Sequence, residues 1–257
     1  MNVGYVHTLE TPDNAVDRGT LRVSVIDRDT NQPVQNARVE VSYTADPESV
    51  LEVLDTDNSG LTEDVGLAAP PLEYSMEPGI EQPYAEYTVT VRAEGYEAFS
   101  VSAVNVLSGE LSLQNMPMEH PPKIAESEIK PVGEPGEIVL SRVVVPEMVV
   151  VHDGTPADST AQDYYVRYRD YIKNVASSEI YSTWPRQTLE ANIHAIMSFT
   201  LNRVYTEWYR NQGYNFTITS STAYDHKWIA DRNVFGNISQ VVDEIFDTYL
   251  SRPNVKQ

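Results

Sequence analysis

The period of the hydrophobic pattern changes along this chain, and that change constrains the fold more than any other feature. Over residues 19–118 the pattern has a period of two. Leu21-Arg-Val-Ser-Val-Ile26, Ala37-Arg-Val-Glu-Val-Ser-Tyr43 and Tyr87-Thr-Val-Thr-Val-Arg-Ala93 alternate and are rich in β-branched residues. Such alternation puts every second side chain on one face of a sheet. Turn chemistry separates these runs: Asp29-Thr-Asn-Gln-Pro33 links the first two, and Asp55-Thr-Asp-Asn-Ser-Gly60 makes a polar corner. Short strands at this spacing predict a small β-sandwich.

From about residue 168 the period becomes helical. Tyr168, Ile172, Val175 and Glu179 fall within roughly a 60° arc at 100° per residue. Pro185 suits the first turn of a second helix, whose stripe is Leu189, Ile193, Ile196, Thr200, Val204 and Trp208, ending before Gly213. Residues 214–224 alternate again and predict an extended segment. A last helix is predicted from Ser239 to Tyr249, on Val241, Val242, Ile245 and Tyr249. Between the two regimes, residues 119–137 hold Pro121, Pro122, Pro131 and Pro135 and read as a linker. Strand signals follow in Glu137–Leu140 and Val143–Val151, with Pro146 at an edge or bend and a turn at His152–Pro156. The expected fold is therefore α+β: a β-sandwich over 1–118, a linker over 119–137, and a mainly helical domain with a few strands over 138–257.

Composition narrows the chemistry. Cys is absent from the 257 residues, which rules out disulfides and thiolate chemistry. The five His residues (7, 120, 152, 194, 226) are scattered without a ligand spacing, so no metal and no cofactor is expected. Residues 1–140 carry 7 Lys/Arg against 25 Asp/Glu, and residues 141–257 carry 11 against 13. That acidic front half argues against nucleic acid as a partner. It reads as a solvated surface, or as a cover that repels something until removed. No run is apolar enough to span a membrane, and the first ten residues lack the pattern of a signal peptide.

Glu179 is the residue out of place. A carboxylate on an apolar stripe is a buried structural pair or a catalyst, and the residues alone leave both open. Desolvation raises the pKa of such a group and makes it a general acid near neutral pH. Ser177, Ser178 and Tyr181 are close enough in sequence to hydrogen-bond it. Glu207 is the rival acid; with Arg203 four residues before it, it reads as a structural ion pair. Asp225 is a turn residue or a polar substrate contact. Tyr181, Tyr224 and Trp228 pack in the core or stack on sugars, and Trp184 packs at a helix start.

Several segments resemble known families. Gly19-Thr-Leu-Arg-Val-Ser-Val, Gln32-Pro-Val-Gln-Asn-Ala37, Thr56-Asp-Asn-Ser-Gly60 and Glu94-Gly-Tyr96 resemble a carboxypeptidase-regulatory or transthyretin-like β module, which implies a non-catalytic sandwich. Val175-Ala-Ser-Ser-Glu-Ile-Tyr-Ser-Thr-Trp-Pro185, followed by Leu189-Glu-Ala-Asn-Ile-His-Ala-Ile-Met-Ser-Phe199, resembles the SpoIID/LytB domain. Ser221-Thr-Ala-Tyr-Asp225 and Val234-Phe-Gly236 match its later positions more loosely. Over nearly the whole chain the text is similar to SleC-type clostridial spore cortex-lytic enzymes, notably Asp170–Tyr181, Phe199–Asn211 and Asn215–Ala223.

The resemblance implies a peptidoglycan lytic transglycosylase acting on spore cortex strands that carry muramic-δ-lactam. Glu179 falls at the catalytic Glu; Ser177, Ser178, Tyr181, Tyr224 and Asp225 are its expected substrate contacts. It also implies an activating germination protease and a place in the spore cortex or coat region. The family's domain continues past the equivalent of Gln257, so the chain is expected to be a C-terminally truncated relative. A non-catalytic cortex- or peptidoglycan-binding protein is the alternative. The connection around Met118-Glu-His-Pro-Pro122 is shorter than the family's, where processing is expected.

Overall fold

A computed structural model describes residues 17–76, 82–121 and 143–250. The predicted strand at Glu137–Leu140 and most of the predicted linker lie outside them.

The first seven strands are β1 (Arg18–Asp27), β2 (Arg38–Tyr43), β3 (Asp46–Asp55), β4 (Val65–Ala68), β5 (Ala85–Arg92), β6 (Phe99–Val106) and β7 (Leu111–Met118), with a one-turn helix α1 (Glu73–Met76) after β4. They form two sheets. One contains β7-β1-β4, the other β3-β2-β5-β6. β1 pairs with β7 in parallel, while the other pairs in these sheets are antiparallel. The predicted alternation is the packing pattern. Leu21, Val23 and Val25 from one sheet, and Val39, Val41, Tyr87, Val89 and Val91 from the other, are all fully buried in one core. Each such side chain contributes about 1.5–3 kcal/mol by leaving water. The polar corner closes on Gly60 at φ +72°, where an added Cβ would meet the Val25 carbonyl oxygen at 2.5 Å.

The rest comprises β8 (Met148–His152), β9 (Asp163–Arg167), α2 (Tyr168–Glu179), α3 (Arg186–Tyr205), β10 (Ile218–Thr219), β11 (Val234–Phe235) and α4 (Gly236–Ile245). β10, β8 and β9 form a small sheet. α2, α3 and α4 close a second core with Tyr171, Ile172, Val175, Leu189, Ile193, Ile196, Val241 and Val242. Pro185 precedes α3, as its missing N–H allows.

The details differ from expectation in several places. β8 starts at Met148, and Val143–Pro146 has no strand pairing. Only Ile218–Thr219 of the predicted extended segment joins a sheet, in parallel to β8. α3 stops at Tyr205, and Trp208 lies beyond it, 47% exposed. α4 begins three residues earlier than predicted and ends at Ile245, leaving Tyr249 exposed.

The two cores are joined by shared sheet structure. β11 adds to β7, pairing Val234 with Leu113 and Phe235 with Ser112. Asn105 and Asn233, both buried, exchange two hydrogen bonds across this junction. Arg232 reaches from the same loop to the Asn105 side chain (2.8 Å) and the Ser177 carbonyl. Burial pulls its guanidinium down to about 10.

Candidate functional site

Glu179 is the last residue of α2. Ile180 takes an extended conformation and ends the helix, so the carboxylate projects off the end toward the 225–229 loop. An acid at a helix C-terminus opposes the dipole there by about 0.3–1 kcal/mol. Two donors offset that cost. The Lys227 backbone N–H donates to Oε1 at 2.8 Å. His226 Nδ1 lies 3.3 Å from Oε1 and 3.2 Å from Oε2. The Glu179 side chain remains 28% exposed.

The loop that brings these donors is pinned at both ends. At its far end Asn174, buried on α2, donates from Nδ2 to the Ile229 carbonyl (2.7 Å) and accepts the Ile229 N–H (3.1 Å). At its near end the Asp225 side chain is fully buried. Arg203 Nε donates to its Oδ1 at 2.8 Å. The Tyr209 hydroxyl (2.5 Å), the Thr219 hydroxyl (2.7 Å) and the Thr219 N–H (3.0 Å) all donate to Oδ2. The Arg203 guanidinium also lies over the rings of Phe199 and Trp208. His226 packs edge-on to Phe199, with ring centroids 4.7 Å apart.

These contacts correct the sequence reading. Burial pushes the Glu179 carboxyl up, but the His226 hydrogen bond, the Lys227 N–H and the charges of both residues outweigh it. The group is held below its ordinary value, not raised. None of the three residues expected to hydrogen-bond it does so. Ser177 is buried at the module junction and accepts the Phe235 N–H. Ser178 donates to the Asn174 carbonyl. Tyr181 packs edge-on against Trp184. Tyr224 is 51% exposed, with its carbonyl held by Arg203. Asp225 is neither a simple turn residue nor open to a ligand; it is the buried anchor of the loop. Arg203 pairs with Asp225 and not with Glu207, whose partner is Arg210. Trp228 is a core residue. Trp184 donates its indole N–H to the Ser75 carbonyl of α1. His226, Lys227 and Asn174 were not singled out from the sequence. His226 and Lys227 reach Glu179 from 47 and 48 residues away, and no local spacing encodes that.

A second carboxyl was also missed. Glu110, just before β7, lines a cavity of about 690 Å³ with Leu111, Leu113, Asn237, Ser239 and Gln240. Burial dominates there, eased by the nearby Ser182 hydroxyl, and raises Glu110 to about 7. Among the described residues it has no salt-bridge partner, and no group of three or more metal-ligating side chains occurs. No helix among them is long and apolar enough to cross a membrane.

No family model and no curated protein matches the chain. Parts of it are similar to solved structures. The 5-hydroxyisourate hydrolase of Klebsiella pneumoniae matches 40% of this chain and 92% of its own, at 14% identity and a TM-score of 0.26. The TIE protein of Bacillus anthracis matches 40% of this chain and 17% of its own, at 16% identity and a TM-score of 0.27. The minor pilin GBS52 of Streptococcus agalactiae matches 44% of this chain and 49% of its own, at 13% identity and a TM-score of 0.29.

Proposed function

We propose that this chain is a peptidoglycan lytic transglycosylase acting on spore cortex glycan strands, with Glu179 as its single acid and base. The observation that carries this reading is the setting of Glu179. It is a solvent-reached carboxylate, held by two donors on a loop pinned at both ends. It lies inside the segment that resembles the SpoIID/LytB pattern. Groups fixed in this way suit proton transfer, because their geometry is set before substrate arrives.

In the proposed reaction the protonated carboxyl gives its proton to the glycosidic oxygen as the C1–O bond breaks. The carboxylate left behind takes the proton of the muramoyl C6 hydroxyl, and that oxygen bonds to C1. The product is a 1,6-anhydro end, and Glu179 returns to its starting state. Neither water nor a second carboxylate takes part, unlike two-acid glycoside hydrolysis. Because its donors hold Glu179 below the ordinary value, the protonated form that donates the proton is populated mainly on the acid side. Cleavage is therefore expected to weaken as pH rises. A transthyretin-like identity for the sandwich, muramic-δ-lactam strands as substrate, activation by a germination protease and a place in the spore cortex or coat region belong to the same proposal.

A second reading, a non-catalytic peptidoglycan-binding protein, is favoured by the His226–Glu179 contact, since a structural pair has the same geometry. Digestion of decoated spore cortex separates the two. Wild-type chain is expected to release anhydro-muropeptides, read by mass spectrometry, and Glu179→Gln to release none. No product from folded wild type favours binding; equal product from both removes Glu179 from the mechanism.

A further inference from the structure

His226 has a second feature that bears on Glu179. Its Nε2 is buried and has no hydrogen-bond partner among the described residues. Its Nδ1 faces the Glu179 carboxylate, and its ring is held edge-on by Phe199 of α3. A carboxylate only accepts, so Nδ1 carries a proton in this contact, in the neutral ring as in the charged one. The alternative tautomer would put an N–H at Nε2, where it has no acceptor, and would aim a lone pair at the carboxylate.

We propose that His226 is a positioning residue that aims the Glu179 carboxyl in the free protein, by presenting an Nδ1–H to it. The proposal rests on the reading of Glu179 as the proton-handling group. The other groups that face Glu179 do not replace this role. The Lys227 N–H holds Oε1, and the Lys227 charge adds to the attraction. Tyr171, on the same helix, is fully buried and stays neutral, with its own ionisation opposed by burial and by Asp225 and Glu179. With the His226 donor removed, the burial of Glu179 is opposed by one backbone N–H and the Lys227 charge.

The test is a carboxyl titration of Glu179 in the full chain by carbon-13 NMR, with Glu179→Gln assigning the resonance. His226→Phe keeps the ring packing on Phe199, and the partnerless Nε2 loses nothing. In that variant the Glu179 midpoint is expected to move upward. His226→Gln keeps an N–H donor and is expected to move it less. An unchanged midpoint in folded His226→Phe overturns the proposal. Should that variant not fold, an unchanged midpoint in His226→Gln, together with an unchanged one in His226→Ala, overturns it equally. The pH profile of cortex cleavage is expected to move upward with the midpoint. A shifted titration with no cleavage by any form leaves the positioning role standing and removes the transglycosylase reading.

Discussion

Glu179 and Glu110 are both partly buried carboxyls near the places where the modules meet, yet their proton affinities are pushed in opposite directions. Glu179 is given a backbone N–H and an imidazole, and its ionised form is favoured despite burial. Glu110 shares its cavity with Arg22 but pairs with no cation among the described residues, and burial carries it to about 7. Depth alone therefore does not set a carboxyl's charge; the donors aimed at it do. The property expected of Glu179 from sequence, a proton kept near neutral pH, is found at Glu110 instead.

Releasing the loop that supplies the donors has the largest expected effect on Glu179. Asp225→Ala leaves Arg203 without its buried partner. It is expected to cost about 3–5 kcal/mol of stability in denaturant unfolding, and to shift the Glu179 midpoint upward in whatever fraction stays folded. Asn174→Ala frees the other end of the loop. Leaving the Ile229 N–H and carbonyl unpaired is expected to cost about 1–3 kcal/mol, with a smaller upward shift of Glu179.

The two carboxyls also couple stability to pH with opposite signs. Glu110 has a folded value above its unfolded one, so its stabilising effect is complete below about pH 4.5 and is lost as pH rises toward about 7. Glu179 has the opposite sign. Its contribution is present above the unfolded value and is lost as pH falls through the depressed folded one. Thermal melts across pH are therefore expected to show that Glu110→Gln removes a loss of stability between about pH 4.5 and 7, while Glu179→Gln removes one on the acid side. Identical pH profiles for the two variants would contradict the difference in environment.

Much of the architecture is legible from periodicity, because β1, β2 and β5 bury one face each and α2 and α3 bury one stripe. β3 is not, because it is a largely exposed edge strand that sets only Leu54 against the core, so little alternation marks Asp46–Asp55. The site divides in the same way. Glu179 stands out as an acid on an apolar stripe, a local signal. The loop that controls it does not, because Asp225 becomes an anchor only once Arg203, Tyr209 and Thr219 converge on it. Glu110 looks like a turn residue after Gly109 and is desolvated only where the fold brings α4 to line the same cavity. Pairings set by tertiary contact leave no spacing to read.

In the proposed reaction the proton on the glycan bond comes from Glu179 and not from Glu110, whose proton affinity is higher. Decoated cortex digested side by side with folded wild type, Glu179→Gln and Glu110→Gln tests it most directly, with anhydro-muropeptides counted by mass spectrometry. Losing a general acid/base is expected to cut product about 10²–10⁴-fold in Glu179→Gln, with Glu110→Gln close to wild type. Loss of product in Glu110→Gln, with Glu179→Gln still active, would contradict the account.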